Sequence, residues 1–239
     1  PRARFTGADA EALGRTTHKA VAKRLLRAGG VPTPEWGLCR DPARASALGG
    51  RLGFPLMVKP VAEDGSLGVA ASAVVRDASE LEERVVYVLE RYGQLALVER
   101  FVVGREINVS LWDATPRVLP PSEVEFLGFA DPLDCILSFA AKWQPESHAF
   151  GHTPVVCPAR VSPALTQRLQ ATALRAWELV GGRGYGRVDL RVADDGTPYV
   201  LEVNCNPDLS PEAGFFRAAA AAGYGYTDMI TTILRLALE

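Results

Sequence analysis

Apolar residues recur along this chain with two periods, and the points where the period switches outline its elements. From Thr16 or Thr17, both N-cap types, Ala20, Val21, Leu25 and Ala28 keep helical spacing until Gly29-Gly30. That pattern predicts a helix. A short strand near Trp36, a short helix from Pro42 and an apolar strand over 54–58 ending at Lys59-Pro60 follow. The polar loop 63–68 leads to a predicted strand over 69–75. A helix then opens at Asp77 or Ser79, runs through Leu81, Val85, Val88 and Leu89, and closes at Gly93, with a strand over 95–98 after it.

Beyond Gly104 strands dominate, over 106–112, 117–126 (broken by Pro120-Pro121) and 136–139. The change of texture near residue 100 predicts two units, 1–100 and 101–239. Residues 140–154 carry Pro, Gly, His and Ser without periodicity and read as a long, functional loop. A helix over 163–180, a strand-turn-strand over 185–204 and Ala-rich helices broken at Gly223 and Gly225 complete the pattern.

Composition narrows what such a fold does. The 239 residues are 48% hydrophobic, enough for a solid core, and the net charge is −2. That balance argues against broad nucleic-acid binding or a polybasic membrane face. No apolar run has the ~18 residues that span a bilayer, and the start has no signal-peptide pattern, so a cytoplasmic protein is expected. Beginning at Pro1 without Met, the chain is expected to have lost residues upstream. Cys39, Cys135, Cys157 and Cys205 form no C-x-x-C pair and read as reduced, structural thiols. Of 26 basic residues only Lys19, Lys23, Lys59 and Lys142 are lysine. In a chain that uses arginine for a generic cation, each either sits where a compact ammonium is needed or survives by drift.

The strongest chemical signal is the segment Arg187-Val-Asp189-Leu-Arg-Val-Ala-Asp194-Asp195-Gly196-Thr-Pro-Tyr-Val-Leu-Glu202-Val-Asn204, which alternates with period two on both sides of Asp-Gly. A turn centred between Asp195 and Gly196 places Asp189 opposite Glu202 and Arg187 opposite Asn204, on one face. A three-residue loop would destroy that pairing. Opposed carboxylates on neighbouring strands repel unless a cation lies between them. With the Asn204 amide they make a hard oxygen set suited to Mg²⁺ or Mn²⁺, the alternative being a screened pair on a solvated face. The apolar Val200, Leu201 and Val203 favour the metal reading.

Loop 63–68, with Glu63, Gly65, Ser66 and Gly68, could lie over phosphates through its backbone N–H groups, but it is no Walker loop. Gly182, Gly184 and Gly186 follow a helix and precede a strand, the reverse of a dinucleotide fingerprint. His148 and His152 are four apart, yet Gly151, Pro145 and Pro154 predict loop rather than a metal-binding helix.

Together the pieces resemble the ATP-grasp superfamily and, within it, the D-alanine:D-alanine ligase group. The carrying segments are Lys19, Phe54-Pro-Leu-Met-Val-Lys59-Pro60, Glu63-Asp-Gly-Ser66-Leu-Gly68, Val98-Glu99-Arg100-Phe101-Val102, Gly104-Arg-Glu106, Leu119-Pro-Pro-Ser-Glu123, Ala141-Lys142-Trp143, Arg187-Val-Asp189 and Leu201-Glu202-Val-Asn204. The resemblance implies two α+β subdomains with antiparallel sheets enclosing a nucleotide site, the small lid subdomain in 1–100 and the larger, metal-holding one in 101–239. It implies ATP and Mg²⁺ (or Mn²⁺) as cofactors. Lys59 and Lys19 would meet phosphates, loop 63–68 with Glu63, Gly65 and Ser66 would close over them, and Glu99, Arg100, Phe101 and Val102 would form the strand edge that bonds adenine. Met57 and Leu201 would sandwich the base, Glu106 would hold the ribose, and Lys142 would reach the γ-phosphate. Asp189, Glu202 and Asn204 would hold the metal, with Arg187, Lys142 and Ser66 as catalytic residues.

The implied activity is ATP-dependent carboxylate–amine ligation through an acyl phosphate, with a nucleotide-binding module without turnover as the alternative. Small amino acids or peptides are the implied partners, with no nucleic acid and no membrane. A further N-terminal domain is expected upstream, and a homodimer is possible. Three positions depart from the group's pattern: Trp143 stands for a tyrosine, Ala140 for an acid, and Ala213 for a serine that binds the second amino acid's carboxylate. These departures point to altered specificity.

Overall fold

The computed structural model describes residues 4–115 and 117–238. Helices α1 (Ala10–Thr17) and α2 (Lys19–Ala28) come first, then β1 (Trp36–Cys39), α3 (Ala45–Leu52), β2 (Leu56–Pro60), β3 (Val74–Val75), α4 (Ala78–Tyr92) and β4 (Ala96–Arg100). The rest of the chain forms β5 (Arg105–Trp112), β6 (Ser122–Val124), α5 (Phe139–Trp143), α6 (His148–Gly151), β7 (Val155–Val156), α7 (Pro163–Val180), β8 (Tyr185–Val192), β9 (Pro198–Asn204), α8 (Gly214–Ala221) and α9 (Tyr226–Leu236). Two antiparallel sheets result, ordered β1-β4-β2-β3 and β7-β6-β5-β8-β9. Among the described residues no helix is long and apolar enough to cross a membrane.

Local chemistry sets the boundaries. The side chain of Asp77 accepts from Glu80 N at 2.9 Å to start α4, and Gly93 ends it in the left-handed region at φ 63. Ser162 caps α7 in the same way, with Pro163 at the first helical position. Each helix presents an apolar stripe to one sheet. Leu81, Val85 and Val88 of α4 pack with Leu56, Val58 and Val98 under the first sheet, and Leu169, Ala173 and Trp177 of α7 pack with Val109, Val188 and Val203 under the second. The core of the second sheet also contains Ala12 of α1 and Ala22 and Leu26 of α2. Helix α2 is therefore anchored on the second sheet while Lys19 and Lys23, one turn apart, project from it.

Five sequence expectations change. The first predicted helix is two: α1 runs through Thr17, Thr16 donates back to Ala12 O at 3.0 Å, and α2 starts after His18, so neither threonine is a cap. The predicted strand over 69–75 shortens to β3, because Ala71–Ala73 coil into a 3₁₀ turn. The predicted strand over 136–139 does not form. Turn bonds from Ile136 N to Asp134 O and from Ser138 N to Ile136 O replace the ladder there, and Ser138 caps α5. In 117–126 only β6 and a Leu111–Val118 bridge pair, on either side of the prolines. The region 140–154 contains α5 and the single turn α6, which lies between Pro145 and Pro154 and is capped by Ser147, with the His148 and His152 rings stacked at 3.7 Å.

The β8–β9 register reproduces the expected pairs Asp189↔Glu202 and Arg187↔Asn204, by another route. Nearer the turn Leu190 faces Val200 and Val192 faces Pro198, so the loop carries an odd residue, which alone would have shifted the register. A β-bulge at Leu201 takes up the extra residue. It also rotates the strand so that Leu201 and Glu202, adjacent in sequence, both line one cleft.

Candidate active site

The cleft lies between the two sheets, with walls of opposite character. Lys59 on β2 and Glu99 on β4 belong to the first sheet; Glu106 on β5, Asp189 and Arg191 on β8, and Leu201 and Glu202 on β9 belong to the second. Period-two alternation sorts the second sheet, putting Val109, Val188 and Val203 into the core and the polar set Glu106, Asn108, Arg187 and Asp189 on the opposite face. Met57 and Leu201 both line the cleft, as do Arg100, Phe101, Val102, Glu63, Ser66, Lys19 and Lys142. Gly65, Arg187 and Asn204 line the adjoining groove, which meets the cleft at Lys142 and Glu202.

On the first-sheet wall Glu99 sits between two ammonium groups: Lys23 Nζ lies 2.7 Å from Oε2 and Lys59 Nζ 2.7 Å from Oε1. Burial pushes the Glu99 carboxyl up, but the two lysines outweigh it and hold it below the usual carboxylate range. For Lys59 burial works downward and is overcome by Glu99 and Glu202, so its ammonium is held above the usual value. Burial prevails at Lys23 and Lys19, which are lowered. Lys19 donates to Glu63 O at the start of loop 63–68. The Glu99 side chain is thus committed to lysines. Its backbone lies in an interior strand, with Arg100 N donating to Glu35 O and Phe101 N to Pro55 O at the end of the ladder.

On the opposite wall Arg187 grips Asp189 through two parallel bonds of 2.7 and 2.8 Å, and Asn108 donates to the same carboxylate at 2.8 Å. Burial raises Asp189, and Arg187 more than reverses it. Arg187 in turn is driven down by burial and held up overall by Asp189. Arg191 bonds Glu106 at 3.0 Å and also donates to Cys135 O. Burial raises the Glu106 carboxyl, and Arg191 offsets only part of that rise. Among the described residues no three His, Cys, Asp or Glu side chains converge as a metal set. A divalent cation here would rest on Asp189, Glu202 and the Asn204 amide oxygen, which now accepts from Asn206 N at 2.8 Å. Those oxygen donors fit a hard cation, with two carboxylates directly opposed on neighbouring strands.

Loop 63–68 is latched from the second half of the chain. Ser66 Oγ donates to Leu137 O at 2.8 Å, and Trp143 Nε1 donates to Gly65 O at 2.9 Å. These bonds hold Ser66 in the left-handed region, φ 62, where a non-glycine residue is strained by roughly 1–2 kcal/mol. Gly68, φ 75, must be glycine, since a Cβ there would lie 2.7 Å from the Pro60 ring.

Lys23 entered the sequence reading only as one of four lysines, without a role of its own, and Asn108 and Arg191 escaped it. The i, i+4 spacing of Lys19 and Lys23 on one helix was a usable signal for the first. Nothing local marked the other two, whose roles come from pairing across strands.

Residues 25–235 match the family model described as D-ala D-ala ligase C-terminus. The chain is 34% identical over 98% of its length to an uncharacterized protein of Sinorhizobium fredii, covering 66% of that protein. It is 32% identical to a D-alanine–D-alanine ligase of a Synechococcus strain, over 98% of this chain and 68% of that one. It therefore spans about two thirds of the length of these relatives. Among solved structures, a Bacillus anthracis D-alanine–D-alanine ligase complexed with ATP superimposes with TM-score 0.79 at 26% identity, over 98% of this chain and 70% of that one. A D-Ala:D-Ser ligase of Enterococcus faecalis, TM-score 0.81 at 20% identity over 97% and 64%, speaks to the fold alone.

Proposed function

Because this chain belongs to the D-ala D-ala ligase C-terminal family and has its ATP-grasp fold, we propose that it binds ATP with Mg²⁺ and contributes to an ATP-dependent carboxylate–amine ligation that passes through an acyl phosphate. The observation that carries the reading is that one cleft is lined both by the ammonium groups of Lys19 and Lys59 and by the carboxylates of Asp189 and Glu202.

Each residue's part follows from where it stands. Met57 and Leu201 present apolar surface to an adenine ring, with Arg100, Phe101 and Val102 beside it. Buried Glu106 accepts a hydrogen bond from a ribose hydroxyl while Arg191 orients it. Lys59 and Lys19 neutralise phosphate oxygens, and loop 63–68 closes over them with Ser66 and Gly65 latched. Lys142, in both the cleft and the groove, stands where the terminal phosphoryl meets the acid that attacks it. Asp189, Glu202 and Asn204 would hold Mg²⁺, which draws charge from the transferring phosphoryl group. Arg187, at the groove, stabilises the oxyanion formed when the amine attacks the acyl phosphate.

Altered specificity is part of the proposal. Ala213 lines the groove without a hydroxyl to offer a carboxylate, and Asp208, Glu212 and Arg217 supply charge nearby. The test is phosphate release from ATP against a panel of D- and L-amino acids and short peptides, alongside ADP binding. Release that depends on one acid–amine pair supports the ligase. Nucleotide binding with no substrate-dependent release across the panel favours a module without turnover.

A further inference from the structure

Lys23 has one of the most deeply buried charged side chains in the molecule, 1% exposed, and it does not line the cleft. Its ammonium touches Glu99 at 2.7 Å and donates to Thr33 Oγ1 at 2.8 Å. Thr33 passes the bond on to Val200 O, also at 2.8 Å, next to the bulge at Leu201. The other oxygen of Glu99 holds Lys59, which does line the cleft. One carboxylate thus serves two ammonium groups, and the triad as a whole keeps one positive charge. A one-to-one Lys59–Glu99 pair would be neutral and would present little attraction to an anion in the cleft.

We propose that Lys23 is a positioning residue for nucleotide phosphates: by occupying half of the Glu99 carboxylate it leaves the Lys59 ammonium fixed at the cleft wall and incompletely neutralised. The competing role is structural only, a buried cation that ties α2 to β4 and to the carbonyl of Val200. The two differ in what they do to ligands with and without phosphate. The proposal rests on the cleft being a nucleotide site.

The experiment is calorimetric titration of ADP and of adenosine, in one Mg²⁺ buffer, into the unaltered chain, Lys23→Met and the double variant Lys23→Met/Glu99→Gln. In the single variant ADP affinity falls by about tenfold or more, because the cleft wall loses one positive charge that acts at a distance, while adenosine affinity stays unchanged. The double variant regains most of the ADP affinity, because a neutral amide in place of the Glu99 carboxylate leaves the Lys59 charge uncompensated again. Equal losses for ADP and adenosine, undiminished ADP binding in Lys23→Met, or a double variant no better than the single one would each overturn the proposal. Failure of the unaltered chain to bind either ligand would instead remove the nucleotide reading, and this inference with it.

Discussion

The two walls of the cleft use the same currency in opposite proportions. Against the first sheet Lys59 of β2 and Lys23 of α2 share the Glu99 carboxylate, and Lys19 of α2 adds a third cation nearby, so positive charge is in excess. On the second sheet Asp189, Glu106 and Glu202 outnumber Arg187 and Arg191. Buried Glu99, Glu106 and Asp189 are tolerated because each faces a lysine or arginine at 2.7–3.0 Å. The leftover sign differs, and it differs in the sense a metal–phosphate ligand needs: anion against the first wall, cation against the second. Asp189 is already neutralised by Arg187 in a bidentate grip, whereas Glu202 is aimed into the cleft at the place where the two walls meet. A divalent cation would therefore compete with Arg187 for Asp189. Held by Asp189, such a cation would leave the Arg187 guanidinium free to face the groove.

The comparison can be broken at its strongest point first. Glu202→Gln should lose metal affinity by at least about 100-fold, beyond the ~10–100-fold cost of losing an outer-shell partner, as measured by Mn²⁺ titration in the presence of ADP. Unchanged Mn²⁺ affinity would mean that the acidic wall is not a metal site. Arg187→Met sharpens the competition between guanidinium and metal. Substrate-dependent phosphate release should fall about 10²–10³-fold, the range for removing one stabiliser of developing negative charge. In the same variant Mn²⁺ should bind at least about tenfold more tightly, since Asp189 is released from its ion pair. A drop in both would show that Arg187 supports the metal rather than excluding it.

Acid should separate the walls less sharply. Glu99 and Asp189 are both held below their unfolded values of 4.5 and 3.8, so their contribution to stability is complete above those values and is lost as pH falls through the folded pKa. The unfolding temperature of the unaltered chain should decline steeply below about pH 4.5, and Glu99→Gln should start lower but decline less steeply. Parallel acid limbs in the two proteins would show that the lysine-paired carboxylate contributes nothing to acid lability. The smallest effect belongs to the latch. Trp143→Phe deletes the bond to Gly65 O, worth about 0.5–1.5 kcal/mol, and should raise the Kd for ADP a few-fold while speeding proteolysis within loop 63–68. Wild-type cleavage rates would mean that the loop is held by Ser66 alone.

Much of this arrangement was legible in the sequence because it is written in short-range patterns. Period-two alternation on either side of Asp195-Gly196 disclosed the opposed Asp189 and Glu202, and the scarcity of lysine drew attention to Lys59 before any resemblance entered. The α+β class and the ATP-grasp resemblance rested on motifs in fixed order. What stayed hidden depends on three-dimensional pairing. The bulge at Leu201 compensates an odd turn, and two such departures cancel in the register while leaving no trace in the alternation of Glu202 and Asn204. The helix at His148–Gly151 forms within a single turn, too short for any period to show, and depends on the Ser147 cap. The lysine–carboxylate triad joins residues from α2, β2 and β4, far apart in sequence, so the scarcity of lysine singled out Lys23 without showing what it pairs with.

The most direct test of the two-walled cleft is the affinity of the unaltered chain for ADP with Mg²⁺ and with excess chelator, measured by calorimetry at one ionic strength. A cation bridging the acidic wall to phosphates on the lysine wall predicts binding at least about tenfold tighter with Mg²⁺, a difference of ~1.4 kcal/mol. Equal affinity under both conditions would contradict it.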